Sequence, residues 1–156
     1  MDLELKGIPV EETPKTRFIV VTRQELDHVW PVVSKDIEQS LDLLEGEMSL
    51  DQVRLMIIQG QILLAVIVDE KNSIVLSLGL VVDQLPQYSV LTVLAAAGER
   101  VKSCFADHWS DLEQLAKSLG CQFVEVTATT ETHARLYSSL GFRKTSLTLR
   151  RKVARS

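Results

Sequence analysis

The spacing of apolar residues along this chain changes period several times, and each change marks an element. Phe18-Ile19-Val20-Val21 predicts a strand over 17–22. Thr22, with Glu25 three residues on, opens a helix in which Val33, Ile37, Leu41 and Leu44 recur at helical spacing until Gly46. Pro31 removes an amide donor inside that pattern, so a kink or a fresh helix start is expected near it. Ser49 and Gln52 make a capping-box pair ahead of a helix through Gln59 that buries Val53, Met56 and Ile57 and stops at Gly60. Two β-rich runs, 61–69 and 74–83, flank the polar Glu70-Lys71-Asn72-Ser73 and predict a hairpin. After a break at Leu85-Pro86-Gln87, residues 88–97 are almost continuously apolar, as expected of a strand covered on both faces. From 99 to 119, Val101, Cys104, Phe105, Trp109, Leu112, Leu115, Ala116 and Leu119 mark one face of a single helix of about five turns, ended by Gly120. A strand over 121–128, a short helix over 131–140 closed by Gly141 and a final strand over 142–153 complete the order β-α-α-β-β-β-α-β-α-β.

A length of 156 residues suits one domain that folds without metal or disulfide, and the 46% apolar, 24% charged composition is that of a globular chain. Residues 1–15, with Pro9, Pro14 and four acids, read as an arm leading into a domain over 16–156. A net charge of −4 gives no long-range attraction for nucleic acid or an anionic membrane, so neither is expected as a partner. The cluster of Arg143, Lys144, Arg150, Arg151, Lys152 and Arg155 reads as a solvated basic terminus. Cys104 and Cys121 lie in apolar stretches without metal-ligand spacing and read as buried thiols of a reducing compartment; with no signal peptide visible, a cytoplasmic location is expected.

The chemistry centres on the end of the 88–97 strand. Gly98 followed by a long helix places free backbone donors and the positive end of a helix dipole where an anion such as a pyrophosphate could sit. A glycine between a strand and a helix is also what an ordinary turn requires.

Downstream, Ala134-Arg135-Leu136-Tyr137-Ser138-Ser139-Leu140-Gly141-Phe142 resembles the GNAT superfamily of N-acetyltransferases through its Leu-Tyr-x-x-Leu-Gly-Phe ending. The likeness in element order spans 17–153, that in sequence about 88–149. It implies an α/β (α+β) fold, a mixed central sheet with helices on both faces, and acyl transfer from acetyl-CoA to a small-molecule or peptide amine. It also implies that Leu94, Ala96, Gly98, Glu99, Arg100, Val101 and Lys102 bind the acyl-CoA, and that Tyr137 is the acid that protonates the leaving thiolate. The phosphate loop departs from the family pattern: Ala95-Ala96-Ala97-Gly98-Glu99-Arg100 keeps only the middle glycine, and Glu99 adds a negative charge that Arg100 and Lys102 could offset. Thr130 stands at the family's asparagine, and His133 at a usual alanine. Asp83 and Glu125 are carboxylates that could accept a proton but read first as structural, and His28, Trp30 and Trp109 read as packing or surface residues. One strand follows Phe142 where the family commonly has two, leaving an edge for the amino-terminal arm or another subunit.

Ala116-Lys117-Ser118-Leu119-Gly120-Cys121 and the Trp30-Pro31 pair look similar to GNAT-like proteins of tailed bacteriophages. That likeness implies a second reading, a catalytically degenerate domain with a virion or protein-binding role in a host cytoplasm or virion.

Overall fold

The computed structural model describes residues 15–43, 48–128 and 130–154. In chain order they form β1 (Arg17–Val20), α1 (Arg23–Leu43), α2 (Leu50–Ile58), β2 (Leu63–Val68), β3 (Ile74–Gln84), β4 (Ser89–Gly98), α3 (Val101–Asp107), α4 (Trp109–Ser118), β5 (Phe123–Val126) and α5 (Glu131–Ser139). The five strands lie in sequence order in one sheet. β1 to β4 pair antiparallel, whereas β5 joins β4 in parallel through the α3–α4 crossover, which makes the sheet mixed.

Alternating side chains of the central strands feed two cores. On one face Leu64, Val66 and Val68 of β2 pack with Leu26, Val33 and Ile37 of α1 and Val53 of α2. On the other, Leu76, Leu78 and Leu80 of β3 and Leu91 and Val93 of β4 pack with Cys104, Phe105, Leu112 and Ala116 of α3 and α4. Helices therefore cover both faces, and burial on both sides explains the near-continuous apolar runs.

Local chemistry places most boundaries. Ser49 accepts from the Gln52 amide and the Gln52 side chain answers at the Ser49 amide, closing the capping box. The β2–β3 turn is a hairpin in which the Asp69 carboxylate accepts from the Lys71 and Ser73 amides while Asn72 takes the left-handed conformation. Thr22 and Glu25 exchange the expected capping bonds at the start of α1.

Three expectations are corrected. No fresh helix starts near Pro31: α1 runs through it as one helix, and Pro31 is exposed, so the lost donor and ring clash fall on the solvent side. The single 99–119 helix is broken at His108, which ends α3 and begins α4 with φ −113° and ψ 17°. The strand expected over 142–153 does not form: Arg143 to Ala154 carry no regular structure and every one is exposed, because an alternating segment becomes a strand only beside another edge. Leu44, Gly46 and all of the 1–15 arm except Lys15 lie outside the described residues. Among the described residues, no helix is long and apolar enough to cross a membrane.

Candidate active site

β4 and β5 are in register only from Val90 opposite Phe123 to Val93 opposite Val126. β4 then continues for five residues to Gly98 while β5 stops, so the strands part and the outer edge of Leu94–Gly98 meets no strand among the described residues. At this level Gly79 faces Ala95 and Leu80 faces Val93, which leaves Leu94 as an extra residue, a β-bulge. The bulge resets the alternation: Leu94 joins the core under α1 and α2, whereas Ala96 returns to the side of α3. The two strand residues expected to touch acyl-CoA thus lie on opposite faces, with the backbone edge between them free of β5.

Beyond the strand, Gly98 has φ +136°, and a Cβ there would stand 2.5 Å from the Val75 carbonyl oxygen. Close passage of β3, sufficient by itself, requires this glycine. The Glu99 amide is also committed, donating to the Val75 oxygen at 2.8 Å. Arg100 is left-handed (φ 53°, ψ 41°) and Val101 begins α3, with no side chain capping the helix. A left-handed residue followed by right-handed ones turns successive N–H groups toward one point, an anion-binding nest. The donors brought together are therefore the amides opening α3, around Val101 and Lys102, with the exposed side chains of Arg100 and Lys102 beside them and that of Glu99 opposing.

Tyr137 lies on α5, whose start Thr130 caps by accepting from the His133 amide. That cap accounts for Thr130 at its position. The Tyr137 ring meets Phe105 and Phe142 edge-on, each at 5.8 Å between centroids, and Trp109 closes on Phe142 at 5.7 Å. The Phe142 amide donates to the Tyr137 carbonyl, which fixes the chain where it leaves α5. Burial raises the Tyr137 phenol above its ordinary value, so it is protonated at neutral pH. The ring packs against the same core to which Ala96 and Val101 belong, so Tyr137 shares their face of the sheet.

The carboxylates named from sequence flank one residue. The Asp83 side chain accepts from the Thr92 hydroxyl at 2.8 Å, and Glu125 is the β5 residue opposite Thr92. Thr92 lies one position before the strands part. Of the others, Trp30 lies under the Arg54 guanidinium, 5.5 Å from its ring, and Arg54 pairs with Asp27 at 2.6 Å. His28 is exposed, and His133 is half-buried beside the cap of α5.

Two groups escaped the sequence reading. Asp36, on the inner side of α1, accepts from the fully buried Ser77 hydroxyl at 3.1 Å. Burial, together with the charge of Glu99, raises its carboxyl above the usual range against the lowering effect of that bond. Its signal was an acid three residues after Val33 in an otherwise apolar stripe. His108, 8% exposed, holds Asp111 through Nδ1 at 2.8 Å and the Thr16 hydroxyl through Nε2 at 2.6 Å, tying the approach to β1 to the α3–α4 break. Nothing in the sequence signals a contact between residues so far apart.

No family model matches the chain, and no curated protein matches it in sequence. Solved structures do. A GNAT family acetyltransferase of Staphylococcus aureus superposes with a TM-score of 0.61 at 13% identity, over 88% of this chain and 98% of its own. The fold is that of the GNAT acetyltransferases. Two further members of this fold are an aminoglycoside acetyltransferase from an uncultured soil metagenomic sample (TM-score 0.65, 16% identity, 90% of this chain and 99% of the other) and the aminoglycoside 6'-N-acetyltransferase of Acinetobacter baumannii (TM-score 0.64, 12% identity, 91% and 100%). The shared fold thus covers nearly the whole length of this chain and of all three solved structures.

Proposed function

We propose that this chain is an acyltransferase that moves an acetyl or related acyl group from acyl-CoA to an amine. The observation that carries this reading is the parting of β4 from β5 directly before a nest of uncapped amides at the start of α3. The donor set suits a phosphate-bearing thioester: the amides around Val101 and Lys102 and the side chains of Arg100 and Lys102 can hold phosphate oxygens. The free backbone edge of Leu94–Ala97 can pair with an extended amide chain, as a sheet edge pairs with a strand. Acyl-CoA would supply an activated thioester, with the thiolate as leaving group.

The chain's own residues then have three tasks. The amides of α3 and of the β4 edge fix the donor so that an amine can add to the thioester carbonyl, which removes much of the entropic barrier. Tyr137, on the face shared with Ala96 and Val101, holds a phenolic proton at neutral pH and can give it to the departing thiolate. Glu125 and Asp83, either side of Thr92 where the strands part, are placed to take a proton from the incoming amine.

Titration with acetyl-CoA in a calorimeter tests the binding step, and a hundredfold excess over Kd should stabilise the fold by about 2.7 kcal/mol, seen as a raised Tm. Tyr137→Phe should then lower kcat with the acetyl-CoA Kd nearly unchanged. No heat, no Tm shift and no free thiol released with any amine would defeat the proposal. The solved structures reported above are acetyltransferases, which favours the enzymatic reading over a virion role.

A further inference from the structure

We propose that the acceptor is a diamine or polyamine, held with its reacting amine beside Glu125 and a second ammonium between Asp83 and the Tyr88–Phe123 ring pair; this rests on the acyltransferase reading above. Register puts these groups on one face of the sheet. Asp83 lies opposite Val90 and Val90 opposite Phe123, while Val81 lies opposite Thr92 and Thr92 opposite Glu125, so two rows cross β3, β4 and β5 side by side. Val81 and Leu94 belong to the core under α1 and α2, which identifies the face. The helices' cover ends there: neither core includes Asp83, Tyr88, Thr92, Phe123 or Glu125, and all but the half-buried Thr92 are exposed. Tyr137 packs on the other face, so an amine arriving on this one meets the parting strands from the side opposite the proton donor.

The two rows differ in character. Beside the parting strands, the row of Thr92 offers the Glu125 carboxylate, which has no hydrogen-bond or ion-pair partner among the described residues. The row behind it has an apolar floor in Val90, 1% exposed, with a carboxylate on one side and two rings on the other. Asp83 accepts from the Thr92 hydroxyl through Oδ2 at 2.8 Å, leaving Oδ1 for a further partner. Phe123 and Tyr88 meet edge-on at 5.0 Å and are 53% and 40% exposed. A carboxylate facing aromatic rings across an apolar floor suits an alkylammonium, whose charge meets the carboxylate and the ring faces while its methylenes lie on the floor.

Spacing and charge select the acceptor. The rows are two strand residues apart, about 7 Å, so one ammonium cannot sit in both, whereas the two ends of a short alkyl diamine can. All 21 acidic side chains but only 11 of the 17 basic ones precede Arg143, so the body presenting this face is acidic and draws in a multivalent cation more strongly than a monovalent one. Glu125 takes the proton of the reacting ammonium, whose nitrogen forms the C–N bond as the C–S bond breaks and Tyr137 protonates the sulfur. Asp83 keeps its charge throughout and holds the second ammonium.

The test uses the full chain at saturating acetyl-CoA. Thiol release should give putrescine and cadaverine a kcat/KM about tenfold above that of butylamine. Asp83→Asn and Phe123→Ala, both at exposed positions, should each bring that ratio toward one. Hexamethonium, which cannot be acylated, reads the cation row without turnover: in calorimetry it should bind more tightly than tetramethylammonium, and Phe123→Ala should remove the difference. Acetyl-CoA binding and butylamine acylation without a diamine preference overturn this proposal alone, as does a preference that both variants retain. Absence of acetyl-CoA binding overturns the acyltransferase reading and this proposal with it. Hexamethonium bound no more tightly than tetramethylammonium overturns the cation row whatever the turnover.

Discussion

At the scale of single residues, the loop leading into α3 is governed by contacts with β3. A Cβ at Gly98 would collide with the Val75 carbonyl, and Gly98 also has a positive φ. Gly98→Ala should therefore cost about 2–4 kcal/mol in urea unfolding, and Gly120→Ala, with the same sign of φ but open space around it, only about 1 kcal/mol. Equal losses would mean that the Val75 contact relaxes freely. Asp36 gives a pH signature. Its carboxyl is raised in the folded state, chiefly by burial, so folding binds a proton that the unfolded chain has released. The group's unfavourable contribution consequently sets in as pH rises from the ordinary Asp range through the raised value. Asp36→Asn, which keeps a partner for Ser77, should raise Tm at neutral pH, with the gain shrinking as pH falls toward the ordinary Asp range. A loss of Tm at neutral pH would mean that the ionised form is what the fold uses.

At the scale of elements, caps and joints decide where helices begin and end. Thr130 holds the first turn of α5 and thereby the position of Tyr137, so Thr130→Ala should cost about 1 kcal/mol. The cap is a local interaction, with its partner three residues away, yet the sequence reading named Thr130 only for its place beside the family pattern. The break at His108 could not be read locally, since its determinant is Thr16, 92 residues distant. In a double-mutant cycle of Thr16→Val with His108→Ala, the coupling should be about 0.5–3 kcal/mol; additive losses would show that the two side chains act separately. The bulge at Leu94 belongs with the break: a run of Val93-Leu94-Ala95-Ala96-Ala97 has the same composition whether or not one residue is extra. Pro31 is the opposite case, a strong local signal outweighed because α1 buries Leu26, Val33 and Ile37 on either side of it.

At the scale of the whole molecule, two cores share the sheet, so a residue at its centre matters more than its size alone indicates. Leu80, fully buried on β3 beside the bulge, should lose about 2–5 kcal/mol as Leu80→Ala, measured by denaturant midpoint at unchanged slope. Much of this architecture was legible from the chain alone. Periodicity and punctuation by Gly60, Gly120 and Gly141 report local conformational energy, which depends on neighbours a few residues away. They determined nearly all elements, their order, the capping of α1 and α2, and the two-sided burial of β4. The tertiary structure alone decided where β4 leaves β5, which face Leu94 and Ala96 address, how Gly98 is used and what Asp36 and His108 touch. It also decided that 143–153 is exposed and forms no strand. These are relations between distant segments, set by register and packing, and a strand in particular is a property of two edges, only one of which the segment's own residues can encode.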